Sequence, residues 1–250
     1  MIKPSLMTRR DTIGLGLGAA LAGLSRPWPA RAAAKPTVIV ELFTSQGCSS
    51  CPAADAFMKD LIGDPGVLAL SYSVDYWDYL GWKDTLANPD FSQRQYDYAK
   101  SRGDMSVYTP QMIVNGQSHF VGSHKSSVLE GIASAGAAQG DTIVPLALKA
   151  SAGEVEITAG AAAGLPHGTL WLACVAPAVT VKIERGENAG REVVYHNVVR
   201  RMTAAGMWKG EALTIKLPKA SIMAKGVKTL VALLQDGSTG PIRGSAVLKT

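Results

Sequence analysis

From Thr37 to Thr44 the chain reads TVIVELFT, a β-branched apolar run with the character of a strand. Ser45-Gln46-Gly47 interrupts it. After Cys48-Ser49-Ser50-Cys51-Pro52, the stretch from Ala53 to Ile62 reads as a helix. Ser49 or Ser50 is placed to cap this helix, Pro52 suits its first turn, and Gly63 and Pro65 end it. Val67 to Val74 returns to strand character, so the segment is a strand–helix–strand unit whose strands are expected to be parallel. An aromatic loop from Asp75 to Trp82 follows. A second helix is expected from Pro89 or Asp90 to about Arg102, with Asn88 as its cap. Gln111 to Val114 and Gln117 to Val121 flank Asn115-Gly116, a two-residue hairpin signal. A last helix runs from about His124 to Ala138, with Ser123 before it.

Gly136 to Asp141 reads as a linker, and the pattern then changes to short alternating runs. These are Val144–Lys149, Val155–Ala159, Thr169–Val175, Val179–Glu184, Glu192–Arg200, Ala212–Leu217, Thr229–Leu234 and Ser245–Leu248, separated by Gly, Pro and Asn. The spacing predicts an all-β, sandwich-like domain over residues 141–250, after an α/β domain over residues 35–140.

Composition adds a leader to this picture. The chain is 47% hydrophobic and 18% charged, which is globular, and its formal net charge is +5. Residues 1–34 hold Lys3, Arg9, Arg10, Arg26 and Arg31 against Asp11 alone, so most of the excess belongs there, and no nucleic-acid partner is expected. Arg9-Arg10 precedes a mild apolar run from Ile13 to Leu24 that is too short to span a bilayer, and Ala30-Arg31-Ala32 or Ala32-Ala33-Ala34 offers a cleavage site. The pattern resembles a twin-arginine export signal, with an ordinary secretory signal as the alternative; both lead to the periplasm or beyond. No stable membrane insertion is expected after cleavage.

The candidate chemistry lies at Cys48 and Cys51. A C-x-x-C between a strand and a helix sets its first thiol at the helix N-terminus, where free N–H groups favour a thiolate. The second thiol, one turn on, can resolve a mixed disulfide. Cys48 is therefore the candidate nucleophile and Cys51 the resolving thiol. Zinc normally needs two further ligands at recognisable spacing, and only Cys174 and four histidines remain, so no metal and no cofactor are expected. A structural disulfide is the other reading, though a bridge over so short a loop restrains the unfolded chain little. Cys174, in the run Leu170 to Val175, reads as a buried inert thiol.

Residues 37–138 resemble a thioredoxin-like domain. Val40 to Asp55, together with Asp75-Tyr76-Trp77, Gly81-Trp82, Tyr108-Thr109-Pro110-Gln111 and Gly186 to Arg191, resembles the exported bacterial family catalogued as domain of unknown function 1223, over about residues 37–249. The resemblance implies a thioredoxin fold followed by a β domain, and no established substrate. The pair here is Cys-Ser-Ser-Cys, with Gly47 where thioredoxin itself has Trp. In thioredoxin-like folds a cis-proline faces the redox pair, which points to Thr109 and Pro110 as client-binding, with a trans-proline opening an edge strand as the alternative. A buried acid on the strand before the pair assists the resolving cysteine in thioredoxins. Glu41 takes that part if Ser45-Gln46-Gly47 holds one extra residue; otherwise it is a strand residue satisfied locally.

Topology sets the aromatic loop on the same side as the pair, so Trp77 and Trp82 are candidate client contacts or, more simply, loop or interface packing. The turn Gly186–Gly190 reads first as plain hairpin closure, and second as a cover over Cys48. The leading expectation is a periplasmic thiol–disulfide oxidoreductase acting on a protein or small-molecule client. A copper-handling module using Cys48, Cys51 and a histidine such as His124, or an interaction module with a structural disulfide, are the alternatives.

Overall fold

The computed structural model describes residues 38–139, 143–223 and 226–250. The export signal expected over residues 1–34 lies outside them. The first strand, β1 (Val38–Thr44), is buried at every position because helices cover both faces of its sheet. It is followed by α1 (Pro52–Gly63), β2 (Val67–Ser73), α2 (Pro89–Arg102), β3 (Gln111–Val114), β4 (Ser118–Val121) and α3 (Lys125–Ala138). β1 and β2 are parallel and β3 and β4 form the Asn115-Gly116 hairpin, as the pattern predicts. The expected linker begins inside α3, whose helix continues to Ala138.

The second half contributes β5 (Leu146–Ala150), β6 (Glu154–Ala159), β7 (Gly168–Lys182), β8 (Glu192–Trp208), β9 (Leu213–Pro218), the short α4 (Lys219–Ile222), β10 (Thr229–Asp236) and β11 (Ile242–Lys249). The run Thr169–Val175 and the run Val179–Glu184 as far as Lys182, expected as two strands, belong to the single strand β7. Pro177 does not break it because the residue is exposed there and the ladder resumes at Ala178↔His196. β8 likewise runs well past Arg200.

Two sheets result. One has eight strands in the order β11-β10-β7-β8-β2-β1-β3-β4, and the other three in the order β5-β6-β9. In the second half, Leu170, Leu172, Cys174, Leu230, Ala232 and Leu234 meet Val155, Ile157 and Ala159 of the smaller sheet, a sandwich-like arrangement. It does not stand apart from the first half. β8 joins β2 in parallel at Ser71↔Val198, so one sheet runs through both halves, and the described residues fall in one compact unit. The opposite sheet face carries Ala173, Val175, Val199, Val231 and Leu233 in one core with Ile39, Phe43, Tyr72, Phe91 and Tyr98. Among the described residues no helix is long and apolar enough to cross a membrane.

β1 sorts its side chains by parity. Val38, Val40 and Leu42 pack under α1 with Ala54, Phe57, Met58 and Leu61. Ile39 and Phe43 point to the other face, toward α2. Beyond β2, the outer ends of β7 and β8 continue as a two-stranded arm. Val181, Ile183, Tyr195 and Val198 of the arm pack with Leu86 and Trp82, which brings the arm's tip back over the end of β1.

Candidate functional site

Cys48 and Cys51 are disulfide-bonded, with Cα atoms 5.4 Å apart. The backbone turns tightly there: Cys51 N–H donates to the Cys48 carbonyl at 3.1 Å, and Ala54 and Asp55 N–H groups donate to that of Cys51. Cys51 itself is the N-terminal boundary of α1, with no side-chain cap. Ser49 and Ser50, expected as caps, are exposed instead. Gly47 is required by a close approach, since a Cβ there would lie 3.1 Å from the Trp77 Cβ. A bulky residue at 47, as in thioredoxin, has no room beside Trp77.

The sulfur of Cys48 faces the Thr109 carbonyl at 3.7 Å, and the Thr109-Pro110 bond is cis. Thr109 and Pro110 therefore stand across from the pair, as the sequence placed them. Trp77 and Trp82 border the same turn as packing groups. Trp77 abuts Gly47 and the α2-side core, and Trp82 packs on the arm while its Nε1–H donates to Gln46 Oε1 at 2.8 Å.

Glu41 stands elsewhere. Its odd-numbered position turns it to the α2 face of the sheet, opposite the face that holds α1 and Cys51. There it is fully buried and forms a two-point ion pair with Arg94, Nε to Oε1 at 2.9 Å and Nη2 to Oε2 at 3.2 Å. Tyr98 donates to Glu41, and Gln235 accepts from Arg94 at 3.0 Å and donates to Tyr98 at 2.8 Å. This network ties β1 to α2 and β10, and it replaces the expected contact of Glu41 with the resolving cysteine.

The buried carboxyl on the α1 side of the sheet is Asp55. It lies four residues after Cys51, one turn along the buried stripe of α1. Burial pushes its pKa up to about 8, against a hydrogen bond from Thr44 Oγ1 at 2.8 Å that favours the charged form and a neighbouring Asp84 that opposes it. Its second oxygen has no partner among the described residues. Asp84, raised by burial to about 6, accepts from the Gln46 and Leu86 N–H groups, both at 2.8 Å. An acid at the fourth position after Cys51, inside an otherwise apolar helix face, is the signal in the sequence that points to Asp55.

The tip of the β7–β8 arm reaches the same turn. Asn188 Nδ2 donates to the carbonyls of Gln46 at 2.9 Å and Cys48 at 2.8 Å, and Glu187 Oε2 accepts from Ser49 N–H at 3.2 Å. The Gly186–Gly190 turn thus does more than close a hairpin. With it in place Cys48 is 2% exposed and Cys51 fully buried. Among the described residues no group of three or more His, Cys, Asp or Glu is arranged to hold a metal, so Cys48, Cys51 and His124 do not form such a set. Cys174 is buried far along β7, its thiol donating to the Ile222 carbonyl at 3.0 Å.

A model of the family described as protein of unknown function (DUF1223) matches residues 39–235, which include every residue of this site. The chain belongs to the DUF1223 family. No curated protein matches it. A structural-genomics crystal structure of a protein from Agrobacterium tumefaciens is similar at 36% identity and a TM-score of 0.74, covering 88% of this chain and 96% of that one. HBP35 of Porphyromonas gingivalis shares the fold at 16% identity and a TM-score of 0.59, covering 88% of this chain and 76% of that one. For a DUF1223 protein the cysteine turn, Asp55 and the arm tip are thus features of one folded unit.

Proposed function

We propose that this protein is an exported thiol–disulfide oxidoreductase whose first half is thioredoxin-like and whose Cys48–Cys51 pair cycles between dithiol and disulfide. The observation that carries this reading is the pair at the start of α1 with the Cys48 sulfur opposite the Thr109 carbonyl. The leader at Arg9-Arg10 supports an oxidising compartment, where such a pair has clients.

In the reducing direction the Cys48 thiolate attacks one sulfur of a client disulfide. A Cys48–client S–S bond forms, and the other client sulfur leaves as thiolate. Cys51 then gives its proton to Asp55 and attacks the Cys48 sulfur. The Cys48–Cys51 bond forms, the mixed disulfide breaks, and the client leaves as a second thiolate. Two electrons pass from the pair to the client, and the oxidising direction is the reverse. A carboxyl at about 8 is matched to a thiol, so the proton moves between Asp55 and Cys51 at little cost in either direction.

The test is turnover of a disulfide substrate, such as insulin, by the reduced protein. Wild type is expected to turn over, Cys48→Ser to be inactive, and Cys51→Ser to accumulate a mixed disulfide at Cys48. A pair that opens only when the protein unfolds would mark the disulfide as structural and sink the proposal.

A further inference from the structure

The tip of the β7–β8 arm is held down by very little. Of residues 184–190 Asn188 is buried, at 1% exposure, while Gly186 is half-buried and the rest are exposed. The tip is otherwise a self-contained turn: Ala189 N–H donates to the Gly186 carbonyl, Arg191 N–H to Asn188, and Gly190 N–H to Ile183. Gly186 and Gly190 both have positive φ, which lets the chain double back in so few residues. Its attachments to the cysteine turn are the two Asn188 bonds, the Glu187 bond and the seat of Gly186 against Trp82, where a Cβ would lie 3.3 Å away.

Asn188 Oδ1 is buried with no partner among the described residues. An amide that leaves its oxygen unpaired in order to keep both carbonyl contacts is a weak anchor, because the unpaired atom costs what about one hydrogen bond contributes. The anchor is also placed on the residue that must react, since one of the two carbonyls it holds belongs to Cys48. The lift stays within residues 184–190, because just below the tip Val181, Ile183 and Tyr195 are held in a core with Leu86 and Trp82.

Resting on the redox reading above, we infer that Asn188 and Glu187 form a latch that determines which clients reach Cys48. With the latch closed, the sulfur admits only small reagents. A bulky disulfide gains access when the tip lifts, and a client able to donate hydrogen bonds to the Gln46 and Cys48 carbonyls takes over those that Asn188 releases. Asn188 and Glu187 are therefore specificity-determining residues contributed by the β half to the chemistry of the α/β half.

The test uses the reduced protein and two thiol probes, iodoacetamide and a maleimide carrying a polyethylene glycol chain. Asn188→Ala is expected to speed labelling of Cys48 by the bulky probe about tenfold, with a smaller effect on iodoacetamide, because about one net hydrogen bond is lost. Glu187→Gln keeps the side-chain shape and is expected to change the same ratio in the same direction by a smaller factor. Circular dichroism confirms that each variant is folded. Unchanged probe ratios in both variants would overturn the latch, as would an increase of equal size for both probes. Faster labelling without any disulfide turnover would leave the latch standing and remove the oxidoreductase reading instead.

Discussion

Replacing Arg94 with Met lowers the free energy of unfolding by about 3–5 kcal/mol, because Glu41 is left as an uncompensated buried charge. Glu41 is fully buried and Arg94 nearly so, and the pair shares Tyr98 and Gln235 with three elements of the core. The loss shows as a lower urea midpoint. The redox potential of the Cys48–Cys51 pair stays where it was, since Glu41 faces away from α1. Pairing Arg94→Met with Glu41→Leu returns much of the stability, as an apolar pair of similar volume removes the stranded charge. A potential that shifts in Arg94→Met while stability holds would return Glu41 to the redox machinery.

Asp55→Asn produces the opposite combination, a more stable and slower protein. Unfolded, the carboxyl loses its proton near 3.8; folded, it keeps it to about 8. Its contribution to stability is therefore complete below about pH 4 and is lost as pH rises toward 8. Asn has no such loss. Its NH2 occupies the place of an oxygen that has no partner, which offsets part of the gain, so the variant is net more stable at about pH 8 and the advantage shrinks as pH falls toward about 4. Resolution of the Cys48 mixed disulfide slows by about a hundredfold, the usual size of a lost proton acceptor, at about pH 8 and above, where Asp55 has lost its proton and can accept one from Cys51. Thermal unfolding from pH 5 to 8 and stopped-flow resolution kinetics check the two halves. A destabilised variant with normal kinetics would contradict the role given to Asp55.

The contrast between Glu41 and Asp55 shows where the sequence stops being readable. The run TVIVELFT predicts a strand at once, and the helix after Cys51 is equally plain. What separates the two acids is which face of the sheet each occupies, and that depends on strand parity relative to α1. A one-residue uncertainty across Ser45-Gln46-Gly47 reverses the answer. Asp55 needed no register, only a count of four from Cys51 on an apolar helix face.

The β half was less legible for a different reason. Pro177 and the polar stretch after Arg200 suggest strand ends, yet β7 and β8 continue, because an exposed edge tolerates a missing N–H and a solvent-facing side tolerates Arg and Thr. With the strands cut short, the arm disappears from view, and with it the contact between Asn188 and Cys48. That contact spans 140 residues and rests on the pairing of β8 with β2, which no local pattern announces.

The most direct measurement is the redox equilibrium of the Cys48–Cys51 pair in glutathione buffers, read by alkylation and mass spectrometry on the folded protein. The account predicts a reversible two-electron transition within the range spanned by dithiol oxidoreductases, about −120 to −270 mV. A pair that stays oxidised below about −300 mV, the region of structural disulfides, would contradict it.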